Sequence, residues 1–372
     1  MVKLQTKIRD RRQITPIRLI ALILSLLFAA GALIGCADSS AAPTGNTPSS
    51  DDETHRLTIF DAFDTVTTVL SRGLSKDEFD SAYAKIDTAI HRYDKLFTRF
   101  TIYPDIANVA LMNERAATEP VTVDPEVYAL MSESAHLAEL TEGKYRPEMG
   151  AVIDLWYQAF IAAAADTDAA YLPDPEALRE AARHSDAKSC KITPTGDTAT
   201  VTYTDPDFLW DYGAMAKGYA VERIAAELEA EGVDYVLLSA GGNVRTIGRA
   251  PQGGWRVGIQ DPFDNSDILG VIPVERGAVV TSGINQRYFV YEGKHYHHIV
   301  DPETLMPGDM YAAVTILGPD SGVADVLSTA IFNADRDATD RIMANFPEYE
   351  WLKVYPDGTI ERSAGFPEFL EK

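Results

Sequence analysis

Lys191-Ile192-Thr193-Pro194-Thr195-Gly196-Asp197-Thr198-Ala199-Thr200-Val201-Thr202-Tyr203-Thr204 alternates apolar and β-branched residues on both sides of a Thr-Gly-Asp turn. Period-two alternation around such a turn predicts an antiparallel hairpin. Its weight is topological, because strands joined by a tight turn cannot be the parallel neighbours of a βαβ unit, which need a long crossover.

The same grammar recurs outward from this hairpin. Residues 57–70 read as one or two strands around Phe63-Asp64-Thr65, and Ser75-Lys76-Asp77-Glu78 is a capping box ahead of a helix carried by Phe79, Tyr83, Ile86, Ile90 and Phe97. A second helix, 125–140, buries Val127, Leu130, Met131 and Leu137 and ends near Gly143. Downstream, a third helix is expected over 214–231, then a strand at 235–238 and the turn Ala240-Gly241-Gly242-Asn243. Strands surround 255–259, 270–274, 288–291, 296–300 and 312–317; a helix over 322–333 and a hairpin at Pro356-Asp357-Gly358 close the chain. Hairpins dominate over βαβ alternation and no repeat is visible. The expected class is α+β, with a mixed, largely antiparallel sheet, packed helices and two lobes.

The first 35 residues read differently. Lys3, Lys7, Arg9, Arg11, Arg12 and Arg18 precede an uncharged apolar run from Leu19 to Ile34, which closes on Leu33-Ile34-Gly35-Cys36. A basic region, an apolar region and a small residue before a cysteine form a lipoprotein export signal. The run is short of the about 20 apolar residues a spanning helix needs. Lipidation of Cys36 and anchoring to the outside of the cell membrane are therefore expected. Residues 36–53, rich in Ala, Ser, Thr, Pro, Gly and Asp, read as a flexible tether, and 54–372 as the folded body.

Without residues 1–35, which carry six basic groups and one acid, the formal charge of −23 becomes −28. A body this acidic repels nucleic acid and anionic lipid heads, so membrane residence has to come from the lipid. Cys190 is the other cysteine and reads as a small core residue at a strand start rather than a nucleophile.

Three segments could do chemistry. Asp211-Tyr212-Gly213-Ala214-Met215-Ala216-Lys217-Gly218-Tyr219 joins an expected strand ending at Trp210 to a helix, where small residues and a helix N-terminus suit a phosphate. His298-Ile299-Val300-Asp301-Pro302 puts an imidazole and a carboxylate at the end of an expected strand: a general base with an orienting acid, or a capped strand end. His295 and His297 read as hairpin surface. On the last long helix Asp325 and Thr329 share a face, and a carboxylate with a hydroxyl is hard-oxygen chemistry that suits Mg²⁺.

Taken in order, these segments resemble the ApbE family of FAD:protein FMN transferases. The matching stretches are Phe63-Asp64-Thr65, 94–100, Thr141-Glu142-Gly143 through Leu155-Trp156, 211–219, 240–243, Thr281-Ser282-Gly283, 298–302 and 324–330. The resemblance implies an ApbE-like, T-fold-like architecture. It implies Mg²⁺ held by Asp325, Thr329 and the carbonyl of Ala214, and FAD bound as substrate near Phe63, Lys144, Tyr145, Arg146, Asp211, Lys217 and Val300. His298 is the candidate to deprotonate an acceptor hydroxyl. Implied partners are flavin-carrying subunits of membrane redox complexes. The chain departs from the family pattern at Leu305, where a glycine is usual, at Arg146, where an acid is common, and at Thr98-Arg99-Phe100, with a short insertion before Asn113. The rival readings are a Mg²⁺-dependent FAD pyrophosphatase, a lipoprotein that holds FAD without chemistry, and an ordinary solute-binding lipoprotein. The last would show two βαβ-rich lobes.

Overall fold

The computed structural model describes residues 54–370. The export signal, Cys36 and the tether lie outside the described residues. Eight strands form one sheet in the order β1 (Thr54–Ala62), β2 (Thr65–Arg72), β6 (Val236–Ala240), β7 (Asn243–Ile247), β10 (Ala278–Gly283), β13 (Ala313–Gly318), β14 (Glu350–Val354) and β15 (Ile360–Arg362). Every neighbouring pair is antiparallel. The α+β expectation holds, and the sheet is more uniformly antiparallel than expected.

Three helices cover one face of the sheet: α1 (Lys76–Phe97), α6 (Ala216–Ala230) and α7 (Ser321–Phe332). The alternation along each strand explains why both faces are buried. Ala278 and Val280 of β10, with Val314 and Ile316 of β13, meet the helices, whereas Val279, Ala313, Leu352 and Val354 point to the other face. There the hairpin of β8 (Trp255–Gln260) and β9 (Ile268–Val274) covers them with Trp255, Val257, Ile259 and Ile272. Each fully buried side chain of this size contributes about 2 kcal/mol, so the hairpin is a structural lid on the sheet.

The remaining elements build a flank beside the sheet. The opening hairpin is β4 (Cys190–Thr195) with β5 (Thr198–Tyr203), extended by β3 (Val121–Val123). It sits with α2 (Val109–Arg115) and α3 (Pro125–Leu140), while α8 (Arg336–Met343) follows α7. A separate apolar cluster joins α4 (Gly150–Ala165) and α5 (Pro175–Arg183) to the hairpin of β11 (Tyr288–Tyr291) and β12 (Lys294–His297), through Val152, Trp156, Leu178 and Phe289. Ser75 closes the expected capping box with Glu78. Cys190 is half-buried at the start of β4, and burial pushes its thiol up to about 11, which leaves it inert.

Two strand expectations are corrected. No strand ends at Trp210: β5 stops at Tyr203 and irregular chain leads to α6. The Asn113 side chain takes the place of a strand partner, accepting from Trp210 N (3.0 Å) and donating to Trp210 O (2.8 Å). Likewise β12 ends at His297, short of residue 300: His298 N still reaches Arg287 O (3.1 Å) in the hairpin register, but beyond it the chain turns to residues 307–308, with Gly308 N donating to Ile299 O (3.0 Å) and Val300 bridging Pro307. His297 is buried rather than surface, with Nε2 2.7 Å from Gly308 O and its ring against Phe332.

Candidate active site

Helices α6 and α7 cross in near contact, and Gly218 makes that possible. A Cβ on Gly218 would lie 2.4 Å from Ser321 O and 2.6 Å from Asp325 Cβ, closer than real atoms approach. The register of the crossing is fixed at the start of α7. Ser321 N donates to Glu222 of α6 (2.8 Å) and Ser321 Oγ to Asn243 Oδ1 of β7 (2.6 Å), while Glu222 is held from the other side by Arg245 at 2.9 Å through two N–H groups. One turn further along α7, Asp325 therefore meets the first turn of α6. Its Oδ2 accepts from Gly218 N (2.8 Å), and Lys217 Nζ lies 3.2 and 3.3 Å from its two oxygens. Asp325 is buried, with a side-chain exposure of 9%. A carboxylate at a helix N-terminus gains from the amide and the helix dipole together.

Thr329, the next turn of α7, is half-buried, and Ser282 Oγ of β10 lies 3.5 Å from its hydroxyl and 2.7 Å from Ser328 Oγ. The segment before α6 is shaped by Asp211, whose Oδ1 accepts from Gly213 N (2.7 Å), so that Ala214 sits in the turn that opens the helix.

The opposite wall is built from loops. The turn between β1 and β2 places Phe63 at φ 54° and Asp64 at φ 49°. Left-handed conformations of such residues cost on the order of 1–3 kcal/mol and mark sites where surroundings impose them. Here Phe63 N donates to Asp94 Oδ1 (3.0 Å), and Arg287 Nη2 donates to the carbonyls of both Phe63 and Asp64 (3.1 Å each). The Arg287 carbonyl in turn faces His298 Nδ1 at 3.3 Å. With a carbonyl as partner Nδ1 carries the hydrogen, and Nε2 keeps its lone pair.

His298 is exposed to solvent yet has protein atoms densely around it. That enclosure, followed by the charges of Arg287, His297 and Lys217, holds the imidazole down at about 3. Lys217 thus acts on both His298 and Asp325, which places the two expected chemical centres in one electrostatic neighbourhood.

Other expected residues have different surroundings. Lys144 pairs with Glu303 (2.6 Å), and Arg146 reaches Glu148 (2.9 Å) and Ser185 O (2.8 Å). Tyr145 is buried in the main core with its hydroxyl 2.8 Å from Ser134 Oγ. Val300 is buried beside α4, and its carbonyl accepts from Asn333 Nδ2 (3.3 Å). Leu305 stands at φ 61°, a conformation glycine adopts without strain, and its carbonyl accepts from the Trp156 indole (2.9 Å). Sequence reasoning missed Arg287 and Glu222, and it named Asn243 and Ser282 only within matching stretches, without a role. Arg287 gives no local signal, being one charge beside a short strand whose role comes from two carbonyls far away in the chain.

A buried carboxylate at a glycine-mediated helix crossing, a lysine against it and a neutral histidine in the field of the same lysine form an arrangement that suits an anionic substrate and a proton transfer. The model of the ApbE family matches residues 62–352. The chain is 33% identical over 275 residues to a FAD:protein FMN transferase of Treponema pallidum, covering 70% of this chain and 74% of that protein. A FAD:protein FMN transferase of Klebsiella pneumoniae is 29% identical over 266 residues, 71% of this chain and 78% of that one. Among solved structures, the ApbE protein of Thermotoga maritima superposes with a TM-score of 0.72 at 30% identity, over 84% of this chain and 98% of that chain. The chain belongs to the ApbE family and is an enzyme of that family.

Proposed function

We propose that this protein transfers the FMN moiety of FAD to a Ser or Thr hydroxyl of an acceptor protein, releasing AMP. The observation that carries the reading is the shared position of Lys217, which ion-pairs with buried Asp325 and also bears on His298. An anionic diphosphate in the cleft would find Lys217 and the N-terminus of α6 on one side and the base on the other.

The acceptor oxygen forms a bond to the FMN phosphorus, the phosphorus–oxygen bond to AMP breaks, and the hydroxyl proton passes to His298 Nε2. The imidazole is neutral across the neutral range, so its Nε2 lone pair is free, but in the free enzyme it is a weak base. The diphosphate adds negative charge opposite to that of Arg287 and Lys217, which raises the imidazole towards a more basic range when substrate is bound.

Asp325, Thr329 and the Ala214 carbonyl are hard-oxygen donors of the kind Mg²⁺ takes, and the cationic Lys217 already lies against both carboxylate oxygens. Mg²⁺ held there would neutralise charge that develops on the diphosphate. We place the enzyme on the outer face of the membrane through lipidated Cys36, with flavin-carrying subunits of membrane redox complexes as acceptors; sharing a surface raises the effective concentration of the pair.

The test is incubation with FAD, Mg²⁺ and an acceptor domain, followed by denaturation and a search for flavin fluorescence on the acceptor. Labelled acceptor and stoichiometric AMP are expected. Free FMN and AMP without label would mean that water takes the hydroxyl's place, and intact FAD would end the enzymatic reading.

A further inference from the structure

Arg99 lies on the chain that leaves α1, and this segment is stapled in place: buried Asn108 donates to Lys95 O (2.9 Å) and Thr101 O (2.8 Å), and Ala110 N to Thr98 O (3.0 Å). The Arg99 side chain is 8% exposed. Its Nε is 2.7 Å from Asp211 Oδ2 and its Nη1 3.1 Å from Asp154 Oδ1. The guanidinium lies over the Phe100 ring, 4.5 Å from its centroid, and 5.6 Å from that of Tyr157, while those two rings stack at 4.5 Å.

The other oxygen of Asp211 closes the turn through Gly213 N, so a single carboxylate joins Arg99 to the loop that displays Ala214. Nε and Nη2 of Arg99 are both buried without a hydrogen-bond partner among the described residues, so Asp211 meets Nε as a close ion pair rather than through an aligned hydrogen bond. Unsatisfied buried donors are rare, and a guanidinium held this way is an expensive means of filling space.

We infer that Arg99 is a positioning residue for substrate binding: it fixes the Asp211 turn, and with it the Gly213–Ala214 segment, in the form that receives the diphosphate of FAD. The inference rests on the flavin-transfer reading and adds a residue to it. Arginine is needed because its extended guanidinium donates to Asp154 through Nη1 while its Nε edge sets positive charge against Asp211, whereas an ammonium is one point charge. Loss of Arg99 leaves Asp211 as an unneutralised acid at the mouth of a site for an anion.

The test is FAD binding, read by flavin fluorescence quenching over a Mg²⁺ titration, in the full body of the protein. Arg99→Met should weaken FAD binding about tenfold or more and move the Mg²⁺ midpoint upward, and Arg99→Lys should restore only part of the loss. Asp211→Asn in the Arg99→Met background should add little, since the two act as one unit. Wild-type FAD affinity and Mg²⁺ midpoint in both Arg99 variants would overturn the inference, and so would full rescue by lysine or additive losses in the double variant. Should Arg99→Met fail to fold, Arg99→Lys and Asp211→Asn carry the same test. Absence of quenching in the wild type would instead bring down the flavin-transfer reading itself.

Discussion

The two walls of the cleft are made in opposite ways. One is the crossing of α6 and α7, where Asp325 is buried, Gly218 has no room for a methyl group and Ser321 ties both helices to β7. The other is loop, where His298 faces solvent and Arg287 holds a strained turn by its carbonyls. The first wall is set by close packing and cannot adjust without repacking the core; the second is set by a few hydrogen bonds. A site for a charged substrate gains from this division, because the charge-holding groups stay fixed while the acceptor side remains open to another protein.

The largest effect should come from breaking the rigid wall. Asp325→Ala removes the carboxylate that meets Lys217 and Gly218 N, and transfer should fall by about 10⁴-fold or more while circular dichroism shows the fold retained. Activity near the wild-type level, or full wild-type activity in excess chelator, would mean that the α6–α7 crossing is structural only.

How legible each wall is in the sequence follows from the same contrast. Asp325 and Thr329 were readable because a helix puts residues four apart on one face, and Lys217-Gly218 because small residues before a helix announce close approach. Their partnership across 108 positions follows from α6 and α7 packing together, which the resemblance supplied and periodicity did not. The loop wall was legible only as fragments. Phe63 and His298 were named, but Arg287, which joins them, depends on the meeting of a β-turn and a hairpin end. The strand expected to reach residue 300 falls short because local alternation persists through His298 and Val300, whereas after His298 the chain exchanges its hairpin partner for residues 307–308. The hairpin of residues 190–203 was readable throughout, since its turn and both strands are contiguous.

A second prediction sharpens the role of the open wall. His298→Ala should lower kcat by about 10²–10³-fold with FAD affinity changed little, because general-base catalysis acts on the acceptor's proton rather than on substrate binding. A loss of FAD binding as large as the loss of kcat would assign His298 to the binding wall instead.

The smallest effect concerns the charges that the two walls share. In the free enzyme His298 is held at about 3, far below the ordinary histidine value of about 6.5, by enclosure and then by the charges of Arg287, His297 and Lys217. The neutral form therefore persists as pH falls, and kcat/KM for FAD should show no histidine limb between pH 8 and 5.5. The profile of kcat reports the substrate complex, where the diphosphate opposes those charges, so its acid limb should lie at higher pH than that of kcat/KM. Arg287→Met removes the largest of these charge effects and should shift the kcat/KM limb upward, with a rate change at pH 7 of only a few-fold. Lys217, anchored on Asp325, remains to hold the imidazole below its ordinary value in that variant. A limb that stays in place would assign the depression to enclosure and Lys217, leaving Arg287 to act through the carbonyls of Phe63 and Asp64 alone.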